Sequence, residues 1–299
     1  MNKHVCVLLA AYNGEVWLKE QIDSILKQKN VKVDIYISLD VSNDNSIQIL
    51  TEYENRINIL PYGEVFGSAG QNFFRLIIDV DFSKYDYVAF SDQDDIWFDE
   101  KLIRAIDKLD YHKADGYSSN IIAFWNKDNC KLIKKDYPQK EYDYLFEAAG
   151  PGCSIVLTKK IILDIQDILK NNIKKSKKLW LHDWFIYSFA RENRYKWFID
   201  KEPYMLYRQH NNNVVGANKG LNAIIRRIRI VLFGDAINNV IYQAEFINNK
   251  SNIIRLLKDN SFCSYFKLAF YARKCRRKFL DQILFFISMI CLAIKKLIG

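Results

Sequence analysis

The chain has 299 residues, 49% apolar and 26% charged, with a net charge of +9. That balance belongs to a globular protein and excludes a disordered chain, and the length suits one large α/β domain with an appendage or two modest domains. The charge is lopsided: from Lys219 onward 15 Lys/Arg face 4 Asp/Glu, a net of +11 that leaves −2 for the first 218 residues, so a nearly neutral body precedes a basic tail.

The N-terminus carries one lysine and a short apolar run before Tyr12-Asn13-Gly14. It is too short for a signal peptide and reads as a first strand, Val5 to Ala11. Leu18, Ile22, Ile25 and Leu26 follow at helical spacing, and Val33 to Leu39 forms a second strand. Ile47, Leu50 and Tyr53 predict another helix, Ile57 to Leu60 a third strand, and Phe73, Phe74, Ile77 and Ile78 a further helix. A fourth strand, Tyr87-Val88-Ala89-Phe90, ends at Ser91. This alternation predicts a mainly parallel sheet with right-handed crossovers, whose ligands bind beyond the carboxyl ends of the strands. Past Trp97 the pattern loosens. Ser119 to Trp125 reads as a strand, Gly150-Pro151-Gly152-Cys153-Ser154 as a turn into the strand Ile155 to Leu157, and Leu179 to Phe189 as the start of a helix. The cysteines, Cys6, Cys130, Cys153, Cys263, Cys275 and Cys291, show no CxxC or zinc spacing, which suits a reducing cytosol.

Three strand ends carry polar clusters: Tyr12-Asn13-Gly14, then Asp40 with Ser42 and Asp44, then Asp92 to Asp95. Carboxylates so crowded need a compensating charge. Asp92 and Asp94, spaced D-x-D, suit Mg²⁺ or Mn²⁺, which take one or two carboxylates and fill their remaining sites with water and phosphate oxygens. The competing reading is a helix N-cap, with Asp94 or Asp95 opening a helix over Trp97 to Ile106. Asp40 is either an acceptor for a base imide or an Asx-turn residue. Asp183, in Leu181-His182-Asp183-Trp184, is either a general base or a helix cap, and His182 beside it a ligand or a packed side chain.

Taken together and in order, these residues resemble the family 2 glycosyltransferases, inverting sugar-nucleotide enzymes of GT-A fold. Leu8 to Gly14 is similar to the family's opening strand and turn, Gln21 to Gln28 to its first helix, and Ile37 to Asp44 to its I-S-D-D-G-S-x-D motif. Gly67 through Asn72-Phe73 resembles its G-x-x-x-N-F element, Ser91 to Trp97 its DxD, and His182-Asp183-Trp184 its catalytic-base motif. Leu206 to His210 and Asn213 to Ala217 resemble the bacterial rhamnosyltransferases that build surface polysaccharides. Two departures stand out: Leu39 and Val41 replace an Asp and a Gly, and Ala11 replaces a hydroxyl residue. The Q-x-x-R-W signature of processive synthases is absent, which implies transfer of single sugars.

The resemblance implies a metal-dependent single displacement. Asp94, helped by Asp92, would hold Mg²⁺ or Mn²⁺ on the donor diphosphate. Ala11, Tyr12, Asn13, Asp40, Gln71 and Asp92 would seat the nucleotide, and Asp183 would take the acceptor's proton. Gly152, Cys153, Trp97, His182, Arg208 and His210 would line the acceptor or diphosphate side. The first-choice donor is dTDP-L-rhamnose, with UDP-linked hexoses or N-acetylhexosamines as the alternative. The acceptor would be a lipid-linked saccharide of O-antigen, capsule or cell-wall polysaccharide.

Catalytic residues are expected within 1–218 and a basic, largely helical region over 219–299. Arg226-Arg227 and Arg229 alternate with apolar residues, and the basic run Arg273 to Lys278 precedes a 12-residue apolar stretch, Ile283 to Ile294. That stretch is short of the ~20 residues a span needs. It suits a helix lying at the inner face of the cell membrane, held by anionic lipid, in an otherwise cytoplasmic protein. The alternative is a helical subdomain packed on the body. Two other classes compete. A basic nucleic-acid-binding protein is disfavoured by the acidic strand ends and the lack of any such motif, and a nucleotidyltransferase by the absence of a Gly-rich basic loop near the N-terminus.

Overall fold

The computed structural model describes residues 3–126, 128–210, 231 and 234–298. The sequence elements at Asn213 to Ala217, at Lys219 and at Arg226, Arg227 and Arg229 lie outside the described residues, as does the expected boundary at 218. The chain divides into two compact units, Met1–Asp136 with Ala149–Val214, and Tyr137–Ala148 with Val215–Gly299.

The first unit is built on a seven-stranded sheet. Its strands are β1 (Lys3–Ala11), β2 (Val31–Leu39), β3 (Asn58–Ile59), β4 (Tyr87–Asp92), β6 (Gly116–Ser119), β9 (Val156–Thr158) and β10 (Trp197–Asp200). They run in the order β10-β6-β9-β4-β1-β2-β3, parallel except for β9, which opposes both β4 and β6. The expected parallel sheet is therefore present, with one antiparallel insertion. A second sheet, β5-β11-β7-β8, joins β5 (Ile96–Trp97), β7 (Ile121–Asn126), β8 (Asn129–Ile133) and β11 (Met205–Arg208). The single strand read over Ser119 to Trp125 is two strands in different sheets. The break falls at Asn120, whose amide reaches Lys201 O (2.7 Å) and Asp136 (2.9 Å).

Both faces of the large sheet are covered, which is why β1 reads as an unbroken apolar run. Val5, Val7, Leu9 and Ala11 meet α1 (Leu18–Leu26), α2 (Ser46–Thr51) and α4 (Lys101–His112) through Leu18, Ile22, Leu50, Leu102 and Ile106. The alternate residues face α3 (Ala69–Asp79), which also touches α5 (Lys159–Lys170) and α7 (His182–Glu192), with the short α6 (Ile173–Ser176) between those two. The competing reading, a helix opened by Asp94 or Asp95 over Trp97 to Ile106, does not hold. The chain enters β5 instead, and α4 starts only at Lys101 with Glu100 at its cap.

Buried polar groups fix the register of this frame. Asn72 donates from Nδ2 to Ala11 O (3.2 Å) and Ser38 O (2.9 Å), bridging the ends of β1 and β2. One turn on, Arg75 reaches Ser38 Oγ (3.0 Å) and Pro61 O (2.6 Å).

The second unit is helical: Ala236–Phe246, Asn252–Asp259, Phe262–Ala269, Ala272–Cys275 and Phe279–Ile298. It also takes in Tyr137–Ala148, which the sequence reading left with the body. The cause is the basic run itself. Arg277 is 5% exposed and lies 3.5 Å from Asp143, which is fully buried, while its backbone N–H donates to Glu147 (2.8 Å). Arg276 donates to Phe146 O (2.8 Å), and Lys274 pairs with Glu141 (2.8 Å). Of the five cations at 273–278, Arg277 is buried, Arg276 is half-buried and Lys274 pairs at the surface, while Arg273 and Lys278 are exposed. Among the described residues no helix is long and apolar enough to cross a membrane.

Asn72→Ala removes two buried hydrogen bonds, while Ala11 O keeps the Asp40 N–H (2.8 Å), so the unfolding free energy is expected to fall by about 1–2 kcal/mol. Urea unfolding of the two proteins checks this.

Candidate active site

The ends of β4, β1 and β2 are neighbours, so their loops share one rim. The loops after β1 and β2 are laced together. Asn13, at φ +46°, donates its N–H to Ser42 Oγ (3.0 Å) and accepts from Asn43 N–H on its Oδ1 (2.8 Å). Gly14 N–H reaches Ser46 Oγ (2.8 Å) and Glu15 N–H reaches Asp44 (3.0 Å). Gln93, the middle residue of the D-x-D, grips the Tyr12 backbone from both sides: its Oε1 accepts from Tyr12 N–H (2.8 Å) and its Nε2 donates to Tyr12 O (2.9 Å). A Cβ at Gly14 would lie 2.4 Å from Gln93 Oε1, so this grip requires glycine there. Tyr12 is left with its ring exposed, while Ala11 is buried beneath it.

Asp40 is buried and accepts from the backbone N–H groups of Val41 (2.9 Å), Phe66 (3.0 Å) and Gly67 (2.9 Å). Its carboxylate pins the loop before α3 to the end of β2, and Gly67 at φ +73° makes that turn accessible. Leu39, where an acid was expected, belongs to the core.

Asp92, Asp94 and Asp95 crowd the end of β4. Asp92 is half-buried, Asp94 and Asp95 are buried, and Asp95 Oδ2 has no hydrogen-bond partner. Asp92, Asp95 and Cys153 offer ligand atoms within 4.8 Å of one another. Asp94 is engaged differently: its Oδ2 lies 2.6 Å from His210 Nε2, and the His210 ring stacks on Trp17 at 4.3 Å. Arg208 donates from Nε to Asp94 O (2.8 Å) and from its backbone to Asp95 Oδ1 (3.3 Å), and its guanidinium also pairs with Glu20 and lies over Phe124. Burial and the Asp94 charge push Asp92 up to about 7, with Asp183 adding to the shift. Burial pushes Asp95 and Cys153 well up as well. Beneath them Lys101 lies buried with its Nζ 3.4 Å from the centre of the Trp97 ring, and burial pulls it down to about 7. Asp92 and Asp95 are thus crowded acids whose ionised forms are disfavoured by burial and by their neighbours' charge.

Asp183 stands in the first turn of α7, half-buried, and accepts from Trp184 N–H (2.7 Å). Burial raises it to about 6. Although 91 positions separate it from Asp92, its charge adds to the upward shift of Asp92.

Several expected contacts are placed elsewhere. His182 is buried, its ring 3.9 Å from Phe73, and burial pulls it down to about 3, so it is a neutral packing residue. Gly152 makes room for that ring: a Cβ would come within 2.2 Å of His182 Nε2. Cys153 is fully buried and turned to the acids, and Trp97 is buried under Lys101. Gln71 donates to Ser176 O (3.2 Å) and Leu179 O (2.8 Å), tying α3 to the segment before α7 and so helping to seat Asp183. Sequence reasoning missed Gln93, Trp17 and Lys101. Gln93 and Trp17 lie within or just after recognised motifs, and their side-chain directions were the missing information.

Residues 6–148 match the profile described as glycosyl transferase family 2. The chain is 43% identical over 297 residues to the dTDP-rhamnosyl transferase RfbG of Shigella flexneri, covering 94% of this chain and 99% of that one. It belongs to glycosyl transferase family 2. A second relative of this glycosyltransferase is the Escherichia coli UDP-Glc:alpha-D-GlcNAc-diphosphoundecaprenol beta-1,3-glucosyltransferase WfgD, 28% identical over 162 residues, covering 54% of this chain and 62% of that one. The fold matches S. aureus TarS 1–349, solved with UDP-GlcNAc, at a TM-score of 0.55 and 13% identity over 97% of this chain and 90% of that one. The GT-A architecture inferred from sequence is thus the architecture of this glycosyltransferase.

Gly152→Ala is expected to lower stability by about 1–3 kcal/mol, because the new methyl overlaps the buried imidazole. The overlap should appear as non-additivity in chemical unfolding, with Gly152→Ala costing less in a His182→Ser background than in the wild type.

Proposed function

We propose that this glycosyltransferase moves a single L-rhamnosyl residue from dTDP-L-rhamnose to a lipid-linked saccharide, with inversion at the anomeric carbon. The observation that carries the reaction type is the convergence of Asp183 from α7 on the carboxylates at the end of β4. The donor sugar is supported by the 43% identity to a dTDP-rhamnosyl transferase across nearly the whole chain. The lipid-linked acceptor is supported by the diphosphoundecaprenol named for the E. coli relative. That same relative favours a second reading, a UDP-glucose donor. An inner-membrane-facing cytoplasmic location follows from such an acceptor.

A divalent cation, Mg²⁺ or Mn²⁺, fits the end of β4. Asp92 and Asp95 offer carboxylate oxygens within 4.8 Å of each other and of the Cys153 thiol, and Asp95 Oδ2 is buried without a partner, so the hard oxygens suit the ion and the thiol is the one soft group beside it. Asp92 and Asp94 would hold it, with Asp95 beneath. When bound, it offsets the negative charge that grows on the departing diphosphate.

Asp183 accepts the proton of the attacking acceptor hydroxyl. That oxygen bonds to the anomeric carbon from the face opposite the diphosphate, and the bond to the diphosphate oxygen breaks, releasing dTDP. Raised to about 6, Asp183 is ionised at neutral pH yet more basic than an ordinary carboxylate. Tyr12, Asn13 and the loop held by Asp40 form the rim on which the nucleoside would rest. Arg208 and His210 act by holding Asp94 and Asp95 in place.

A panel of sugar nucleotides with Mg²⁺ or Mn²⁺ and a lipid-linked acceptor should give nucleoside diphosphate from dTDP-L-rhamnose. EDTA and Asp94→Asn should each abolish it. Release from UDP-glucose alone would replace the donor, and release unaffected by EDTA would remove the metal. Turnover should also fall as pH drops through about 6, where Asp183 protonates. Its folded-state pKa lies above its unfolded one, so its stabilising contribution is complete below about 4 and is lost as pH rises through about 6. Asp183→Asn should therefore raise the unfolding free energy at neutral pH by ~1 kcal/mol while cutting turnover ~10²–10⁴-fold. Loss of turnover with a lower melting temperature would count against this role.

A further inference from the structure

The second unit carries an apolar surface that its own packing leaves open. Helix Phe279–Ile298 buries Phe285, Met289, Leu292 and Ala293 and packs against Phe262–Ala269. Its opposite stripe, Phe279, Ile283, Phe286, Ile287 and Ile294, recurs every three to four residues and faces solvent. Phe270 extends the stripe, 67% exposed, with its ring edge-on to Phe286 at 5.8 Å. Large aromatic and aliphatic side chains on one face of a 20-residue helix make a patch of the kind that monomers seldom leave uncovered.

The charges around it select the cover. Lys267, Arg273, Lys278, Lys295 and Lys296 are exposed around this stripe in sequence, while the acids nearest in the chain are engaged: Asp259 by Ser261 and Ser264, Glu141 by Lys274, and Asp281 by Arg276. A second copy docked face to face would bring two such cationic rims together, whereas an anionic lipid surface neutralises them. The stripe is too short and too flanked by charge to cross the bilayer. It suits a helix lying flat at the headgroup boundary.

We propose that the Phe270/Phe279–Ile298 face is a membrane-docking surface that lays this helix along an anionic bilayer, with Phe279, Ile283, Phe286 and Ile287 inserted and the cations at headgroup level. The proposal names the surface by which the enzyme meets a lipid-linked acceptor. It rests on that reading for its purpose and on the second unit alone for its evidence.

The test uses the full chain in flotation with phosphatidylcholine vesicles, with or without phosphatidylglycerol. Binding is expected only to the phosphatidylglycerol vesicles. It should weaken at about 1 M salt, where the Debye length falls to about 3 Å. Ile283→Asp with Ile287→Asp should weaken it by roughly 10-fold or more, as should Lys278→Glu with Lys296→Glu. All four positions are exposed, so unfolding curves and donor turnover with a soluble saccharide acceptor should stay unchanged. Equal binding to both vesicles, binding indifferent to both pairs, or a dimer in sedimentation that the aspartates dissolve would each overturn the proposal. Loss of donor turnover in the wild type, with vesicle binding intact, would instead remove the reading of the active site.

Discussion

The structure turns on one electrostatic constraint, the crowding of Asp92, Asp94 and Asp95 at the end of a buried strand. Carboxylates this close repel one another, and the upward shifts of Asp92 and Asp95, caused first by burial and then by neighbouring charge, register that cost. The protein supplies only partial relief. His210 reaches Asp94, Arg208 is shared between a carbonyl, a backbone contact and Glu20, and Lys101 is so enclosed that its own charge is weakened. The remaining negative charge is what the proposed divalent cation would offset. An active site that is incomplete until charge arrives from outside is suited to a substrate that brings a diphosphate and its counterion together.

The surrounding frame keeps those acids from relaxing apart. Gln93 cannot swing away without breaking both bonds to Tyr12, and Tyr12 follows a strand whose end is held by Asn72. On the other side the packing of His182 against Gly152 and Phe73 fixes the start of α7, and Gln71 ties the preceding segment to α3. Asp183 is thus placed by the packing of the segments on either side of it. His182 and Gln71, which motif reasoning assigns to ligand contact, carry these structural contacts.

The alternation of apolar runs and helical spacing made the sheet legible, because strands covered on both faces must be apolar throughout. The acids were legible for a similar reason, since Asp92 and Asp94 sit where a continuous apolar strand stops. What could not be read was direction. Nothing in the sequence distinguishes Asp94 facing His210 from Asp95 facing Cys153, because that difference is one residue's rotation at a strand end. The strand at β9 was read over Ile155 to Leu157, but its antiparallel direction was hidden, for three residues carry no sign of orientation. The basic run at 273–278 misled in a specific way: its composition is that of a solvated patch, yet burial of Asp143 draws Arg277 inward.

That last pairing bears on how the chain can be divided. The backbone enters the second unit at Tyr137, leaves it at Ala149 and returns beyond Val214. The short excursion carries Asp143, whose counterion comes from 134 positions later. A fragment ending ahead of the tail would keep the acid and discard the cation, exposing or stranding a carboxylate built for enclosure. The helical region is therefore no detachable accessory: the catalytic chain is threaded through it, and any recombination that exchanged tails between relatives would have to exchange 137–148 as well.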